Sequence, residues 1–129
     1  MERFYTKYFG FRRARVAPIG NGKQIVFIRN SGIYLELFAA DELTPLPEGK
    51  ADGPHHPGVR HFAFKVDDLD ATLAAMGDEI KTRLTLGPLD FKNFIPGWRT
   101  AWLVDPEGNI VELSQGFVDQ DNPPSLPPD

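Results

Sequence analysis

The aromatic side chains Phe4, Tyr5, Tyr8 and Phe9 recur at spacings of one, three and four, which predicts a short amphipathic helix stopped by Gly10. Alternation takes over at once. Arg12, Ala14 and Val16 share one side of a run over 11–19, a second run covers 23–29, and Gly20-Asn21-Gly22 between them is a strong hairpin signal. Asn30-Ser31-Gly32 makes the next turn and 33–39 the next strand, so the first part of the chain reads as a helix followed by three antiparallel strands.

Residues 41–58 break this pattern. Pro45, Pro47, Pro54 and Pro57 with Gly49 and Gly53 read as a linker or long surface loop. Alternation returns over 59–66, where His61, Ala63 and Lys65 share one face and Phe62, Phe64 and Val66 the other. Asp67 or Asp68 can cap a helix over 69–76, which Gly77 ends. The spacing then predicts a strand over 80–86, an aromatic-rich loop or broken strand over 87–97, and a strand over 99–104. Asp105-Pro106-Glu107-Gly108-Asn109 forms a tight turn into a last strand that carries Glu112. The second part is therefore strand, helix, three strands.

Glu112 is the anomaly of that strand, an ionisable side chain facing the same way as Ile110 and Ser114. A buried carboxylate needs a partner, and a metal is a common one. The stretch has an echo: Glu36 lies four residues after Gly32, as Glu112 lies four after Gly108, and each glutamate precedes a leucine. Such repetition suggests two copies of one supersecondary unit. The organisation expected is a first unit over 1–40, a linker over 41–58, a second unit over 59–116 and an irregular Pro-rich tail over 117–129. The first unit lacks the strand that precedes the helix in the second; by the repeat, the counterpart of His61 falls about six residues before Met1.

Composition narrows the function classes. A chain of 129 residues, 41% hydrophobic and 25% charged, suits one soluble domain. Its net charge of −4 argues against nucleic acid as a partner, which needs a basic face. No apolar run approaches the roughly 20 residues of a membrane span, and no signal peptide opens the chain. The absence of cysteine removes disulfides and thiolate chemistry, and a cytoplasmic location is the expectation.

These residues resemble the vicinal oxygen chelate superfamily of glyoxalase I, methylmalonyl-CoA epimerase, extradiol dioxygenases and bleomycin-resistance proteins. The matching pieces are Phe4-Tyr5 with Phe9-Gly10-Phe11, Tyr34-Leu35-Glu36-Leu37, the run from Arg60-His61 to Leu69, and the run from Asp105 to Leu113. The resemblance implies an α+β fold of paired βαβββ modules that curve around a pocket, with the first strand of module one apparently missing. It also implies that Glu36, His61 and Glu112 are metal ligands, with a fourth ligand on the missing strand. That strand is expected upstream of Met1, because an uncovered sheet edge invites aggregation; the other possibility is an edge covered by a second copy.

A mixed imidazole and carboxylate set suits Zn, Ni, Co, Mn or Fe. By the resemblance, the expected function is a glyoxalase-like metal-dependent lyase or isomerase that acts on a small carbonyl or thioester compound through an enediolate, with Glu112 as the catalytic base, in a homodimer. Two other classes stay open: a metal-free, drug-sequestering resistance protein and an extradiol-type dioxygenase. Phe91, Phe94, Trp98 and Trp102 are the expected substrate wall, and Arg99, with Lys92 and Arg60, can meet an anionic group. His55 and His56 lie in the Pro-rich segment, where a flexible loop gives poor ligand geometry.

Overall fold

A computed structural model of the chain describes residues 1–128. Helix α1 (Glu2–Phe9) leads into β1 (Arg12–Gly20), β2 (Lys23–Asn30) and β3 (Ile33–Phe38), which form an antiparallel sheet in the order β1-β2-β3. After the linker come β4 (Phe62–Lys65), α2 (Leu69–Ala75), a 3-10 turn (Gly77–Glu79), α3 (Ile80–Arg83), β5 (Leu84–Asp90), β6 (Arg99–Val104) and β7 (Ile110–Gln115). These strands form a second sheet in the order β4-β7-β6-β5, with β4 parallel to β7 and the other pairs antiparallel. The fold is therefore mixed α+β, with two sheets and few helices.

The local reasons are those read in the sequence. Gly10 takes the left-handed conformation at φ 68° and closes α1. Asp68 caps α2 by accepting the Ala71 N–H at 2.9 Å. Two differences stand out. The strand expected over 80–86 begins only at Leu84, because Ile80–Arg83 continues the helical path and Thr82 hydroxyl donates back to the Glu79 carbonyl. Glu79 itself joins this segment to α1, accepting from Tyr8, Lys7 and Arg83 at 2.7, 3.3 and 3.1 Å. The strand expected over 59–66 shortens to Phe62–Lys65, which leaves His61 just ahead of it.

One core serves both sheets. Phe4, Tyr5 and Phe9 of α1, with Phe11 and Ile28, pack together with Leu69, Met76, Ala101, Leu103, Val111 and Leu113. Phe64 of β4 sits against the rings of Tyr5, Phe9 and Phe11, so α1 is wedged between the halves. Burial of this aromatic area dominates the stability of such a core. Among the described residues β3 pairs only with β2, so its outer edge is open.

Packing all of this apolar surface on one side leaves the other face of each sheet for chemistry. On the second sheet the register sets Ala63 and Trp102 directly beside Glu112, and Thr100 beside Ser114. On the first sheet Phe27 lies beside Glu36, and the face they share is open.

Candidate functional site

The centre of the site is a contact between β7 and the residue that precedes β4. Glu112 is almost fully buried, and its Oε2 lies 2.9 Å from Nε2 of His61. The other ring nitrogen, Nδ1, lies 2.7 Å from the main-chain carbonyl of Asp52. A carbonyl only accepts, so Nδ1 carries the hydrogen. In a neutral ring Nε2 then presents a lone pair to a carboxylate oxygen. Two electron-rich atoms at that distance need a cation between them, either a proton or a metal ion.

Burial pushes the Glu112 carboxyl above its ordinary value of 4.5, while His61 and the Ser114 hydroxyl pull the other way. Ser114 Oγ accepts the Trp98 indole N–H at 2.9 Å, which leaves its own hydrogen for the glutamate. Trp102 Nε1 and Thr100 Oγ1 are buried on this face without a hydrogen-bond partner among the described residues.

The aromatic residues form one connected wall. Trp102 stands edge-on to His61 at 6.2 Å; Phe91 contacts Trp102 at 6.3 Å, Trp98 at 4.9 Å and Phe94 at 6.1 Å. Phe117 extends the wall beyond Trp98 at 5.7 Å. The loop carrying Phe91 to Trp98 is tied at both ends, since the Phe91 N–H donates to the Trp98 carbonyl at 2.8 Å. Phe94 is the outermost member, at 76% exposure.

On the other side of His61, the linker strap over 46–54 encloses a cavity of about 410 Å3, to which His56, Arg60, Phe62, Asn109 and Ile110 contribute. That volume suits a small molecule.

The remaining expected site residues lie elsewhere. Glu36 is exposed on β3 of the other sheet, and among the described residues no group of three or more His, Cys, Asp or Glu side chains converges to hold a metal. His61 and Glu112 thus fit a divalent ion as two of its ligands, while Glu36 stands apart from them within one chain. Arg99 turns to the helix side, where Asp70 holds it bidentately at 2.8 and 3.0 Å. His55 is exposed and pairs with Asp52. The sequence did not disclose the carbonyl of Asp52 as the anchor of His61. Its only signal is Gly53, whose φ of 110° and approach to Arg60 let the strap pass this close.

The family model of the Glyoxalase/Bleomycin resistance protein/Dioxygenase superfamily matches residues 1–113. The chain belongs to that superfamily. Solved structures similar to it share the fold at low identity. Glyoxalase I from Zea mays, in a mutant form, is 19% identical with a TM-score of 0.61, over 89% of this chain and 42% of that one. A mutant form of the fosfomycin resistance protein FosX from Listeria monocytogenes, complexed with Mn(II) and 1S,2S-dihydroxypropylphosphonic acid, is 12% identical with a TM-score of 0.63, over 91% and 82%. TnmS3, an antibiotic binding protein from Streptomyces sp. CB03234, is 22% identical with a TM-score of 0.56, over 90% and 84%. No curated protein matches the chain in sequence. The superfamily thus includes enzymes, resistance proteins and binders of small molecules.

Proposed function

We propose that this superfamily member is a glyoxalase-like metal-dependent lyase or isomerase that acts on a small carbonyl or thioester compound through an enediolate. The observation that carries the reading is the buried 2.9 Å contact of His61 Nε2 with Glu112 Oε2, with Nδ1 already committed to the Asp52 carbonyl. His61 and Glu112 would hold a divalent ion such as Zn, Ni, Co, Mn or Fe, with Glu36 as the third donor in a homodimer. When bound, such an ion polarises the substrate oxygens and makes the adjacent C–H more acidic.

The protein's own part follows from the site. On a 2-hydroxycarbonyl compound Glu112 takes the proton from the hydroxyl-bearing carbon and the C–H electron pair forms a C=C bond as the carbonyl π pair moves onto its oxygen; the hydroxyl proton passes to that oxygen, and the same carboxyl returns its proton to the former carbonyl carbon as the other C–O becomes the carbonyl. Burial that raises the Glu112 value makes its carboxylate a stronger base for this task. His61 holds its orientation through Asp52, as a ligand imidazole requires. Trp102, Phe91 and Trp98 exclude water from one side and offer a flat apolar surface to the substrate.

The test is exchange in D2O with a panel of 2-hydroxycarbonyl compounds and acyl thioesters, followed by proton NMR. Metal-loaded protein should wash deuterium into the position next to the carbonyl of at least one compound. Glu112→Gln should slow this by about 10²-fold or more. No exchange with any member of the panel would contradict the reading.

The aromatic wall supports a second reading, a sequestering protein, because a continuous run from His61 to Phe117 needs no metal to bind a flat ligand. Quenching of Trp98 and Trp102 fluorescence by an aromatic ligand, undiminished by chelator, would identify that case.

A further inference from the structure

The first sheet carries, on the same face as Glu36 and beyond it toward the Asn30–Gly32 turn, a set of side chains that the metal reading does not use. Register sets Arg12 directly opposite Arg29, and Arg29 directly opposite Tyr34. The irregularity at Ala14 then brings Arg15 onto the same side as Arg12, opposite Phe27. Like charges directly opposite in a sheet destabilise it. This chain has 18 Asp and Glu residues, enough to offset them, yet among the described residues neither Arg12, Arg15 nor Arg29 meets a carboxylate. Arg13, Arg60, Arg83 and Arg99 all do.

The side chains at one end of this face are also held in place. Arg29 Nε donates to the Ser31 carbonyl at 2.6 Å, and its guanidinium carbon sits 5.5 Å from the centre of the Tyr34 ring. Asn30 anchors the turn by donating to the Phe9 carbonyl at 2.6 Å. The result is a cavity of about 700 Å3 to which Arg12, Arg13, Arg29, Asn30, Ser31 and Tyr34 contribute. Glu2 neutralises Arg13. Two positive charges remain, Arg29 held beside a ring that is half exposed and Arg12 exposed opposite it.

We infer that this cavity is an oxyanion site that takes a phosphate-type dianion carried on a small planar organic group. Arg12 and Arg29 clamp the oxyanion, and Tyr34 stacks on the group that bears it. Guanidinium forks match tetrahedral oxyanions through paired, charge-assisted hydrogen bonds, and a dianion removes the repulsion between the two arginines. The site shares the first sheet's face with Glu36 but uses neither Glu36 nor the His61–Glu112 pair, and it stands whether or not that pair binds metal.

The experiment is calorimetric titration of metal-stripped full-length protein with inorganic phosphate and with phenyl phosphate, at constant ionic strength maintained with chloride. Both should bind saturably, phenyl phosphate more tightly. Arg12→Gln and Arg29→Gln should each weaken both ligands by about tenfold or more. Tyr34→Leu should weaken phenyl phosphate and leave phosphate unchanged, while Arg3→Gln should alter neither. Without ligand, Arg12→Gln should melt no lower than wild type, which separates lost binding from lost folding. Absence of saturable binding, or equal binding by wild type and both arginine variants, would overturn the site. Because no metal is present, failure of the enzymatic reading leaves each of these outcomes intact.

Discussion

Glu112 is held where a carboxylate is least comfortable, buried on β7. Burial raises its value, so the native state binds this proton more tightly than the unfolded chain does. The stability contribution of the group is therefore greatest below the ordinary value of 4.5 and falls as pH rises through the raised native value. Glu112→Gln should flatten that part of the stability–pH curve, as read by urea unfolding across pH, and should leave the melting temperature at pH 7 equal or higher. A base that is strained in the resting protein and required in the reaction shows this pairing of lost activity with retained stability.

Asp105 is the contrasting buried acid, since every partner it needs is in place. Oδ1 accepts from the Glu107 and Asn109 main-chain N–H groups at 2.9 and 3.0 Å, and Oδ2 from Tyr5 hydroxyl and Asn109 Nδ2 at 2.8 and 2.9 Å. Burial, and then the neighbouring Asp105, hold the Tyr5 phenol far above its usual range. Tyr5→Phe removes one hydrogen bond to a charged group and should cost about 1.5–3 kcal/mol in denaturant unfolding. The site chemistry on β7 should be unchanged.

At the scale of elements, the strap over 46–54 matters more than its composition suggests. A Cβ on Gly53 would meet the Arg60 carbonyl oxygen at 2.0 Å, at a φ that side chains rarely adopt. Gly53→Ala should therefore lower stability by about 1–3 kcal/mol. It should also weaken metal binding by about tenfold or more, because the Asp52 carbonyl would no longer orient His61. Equilibrium metal titration of the folded variant checks the second part.

Much at this scale was legible in the sequence. The β1–β2 hairpin followed from alternation around Asn21-Gly22, and Glu112 stood out as an ionisable side chain in an apolar strand, where the structure buries it, whereas His61 was singled out by the family resemblance. The helix Ile80–Arg83 was not, since a short apolar run fits helix and strand alike, and here contacts of Glu79 with α1 decide. The Asp52 anchor was hidden for a different reason, because a main-chain carbonyl has no residue type. The facing arginines stayed hidden because their juxtaposition needs the register and the irregularity at Ala14. Arg99 looked available and is instead committed to Asp70 on α2, a partner set by packing.

For the whole molecule, the junction between the halves is both apolar and charged. Tyr8, Arg83 and Lys7 hold the Glu79 carboxyl down at about 2, from an ordinary value of 4.5. A depressed value gives stability that is present above 4.5 and lost as pH falls toward 2. Exposed partners and salt weaken the effect. Glu79→Gln should therefore move the acid-unfolding midpoint upward in low salt by a modest amount, and the difference should shrink at 0.5 M salt, a concentration at which the Debye length is only about 4 Å. Among the described residues no helix is long and apolar enough to cross a membrane.

The proposed function requires the His61–Glu112 contact to be the core of a divalent metal site. Equilibrium titration with Zn(II), Mn(II) and Co(II), with bound metal quantified by elemental analysis, tests it most directly on wild type, Glu112→Gln, His61→Ala and Glu36→Gln. The expected result is near-stoichiometric binding of at least one ion by wild type, with loss in the His61 and Glu112 variants and weakening with Glu36→Gln. Retention of metal by the folded His61→Ala and Glu112→Gln proteins, or no binding by wild type, would contradict the claim.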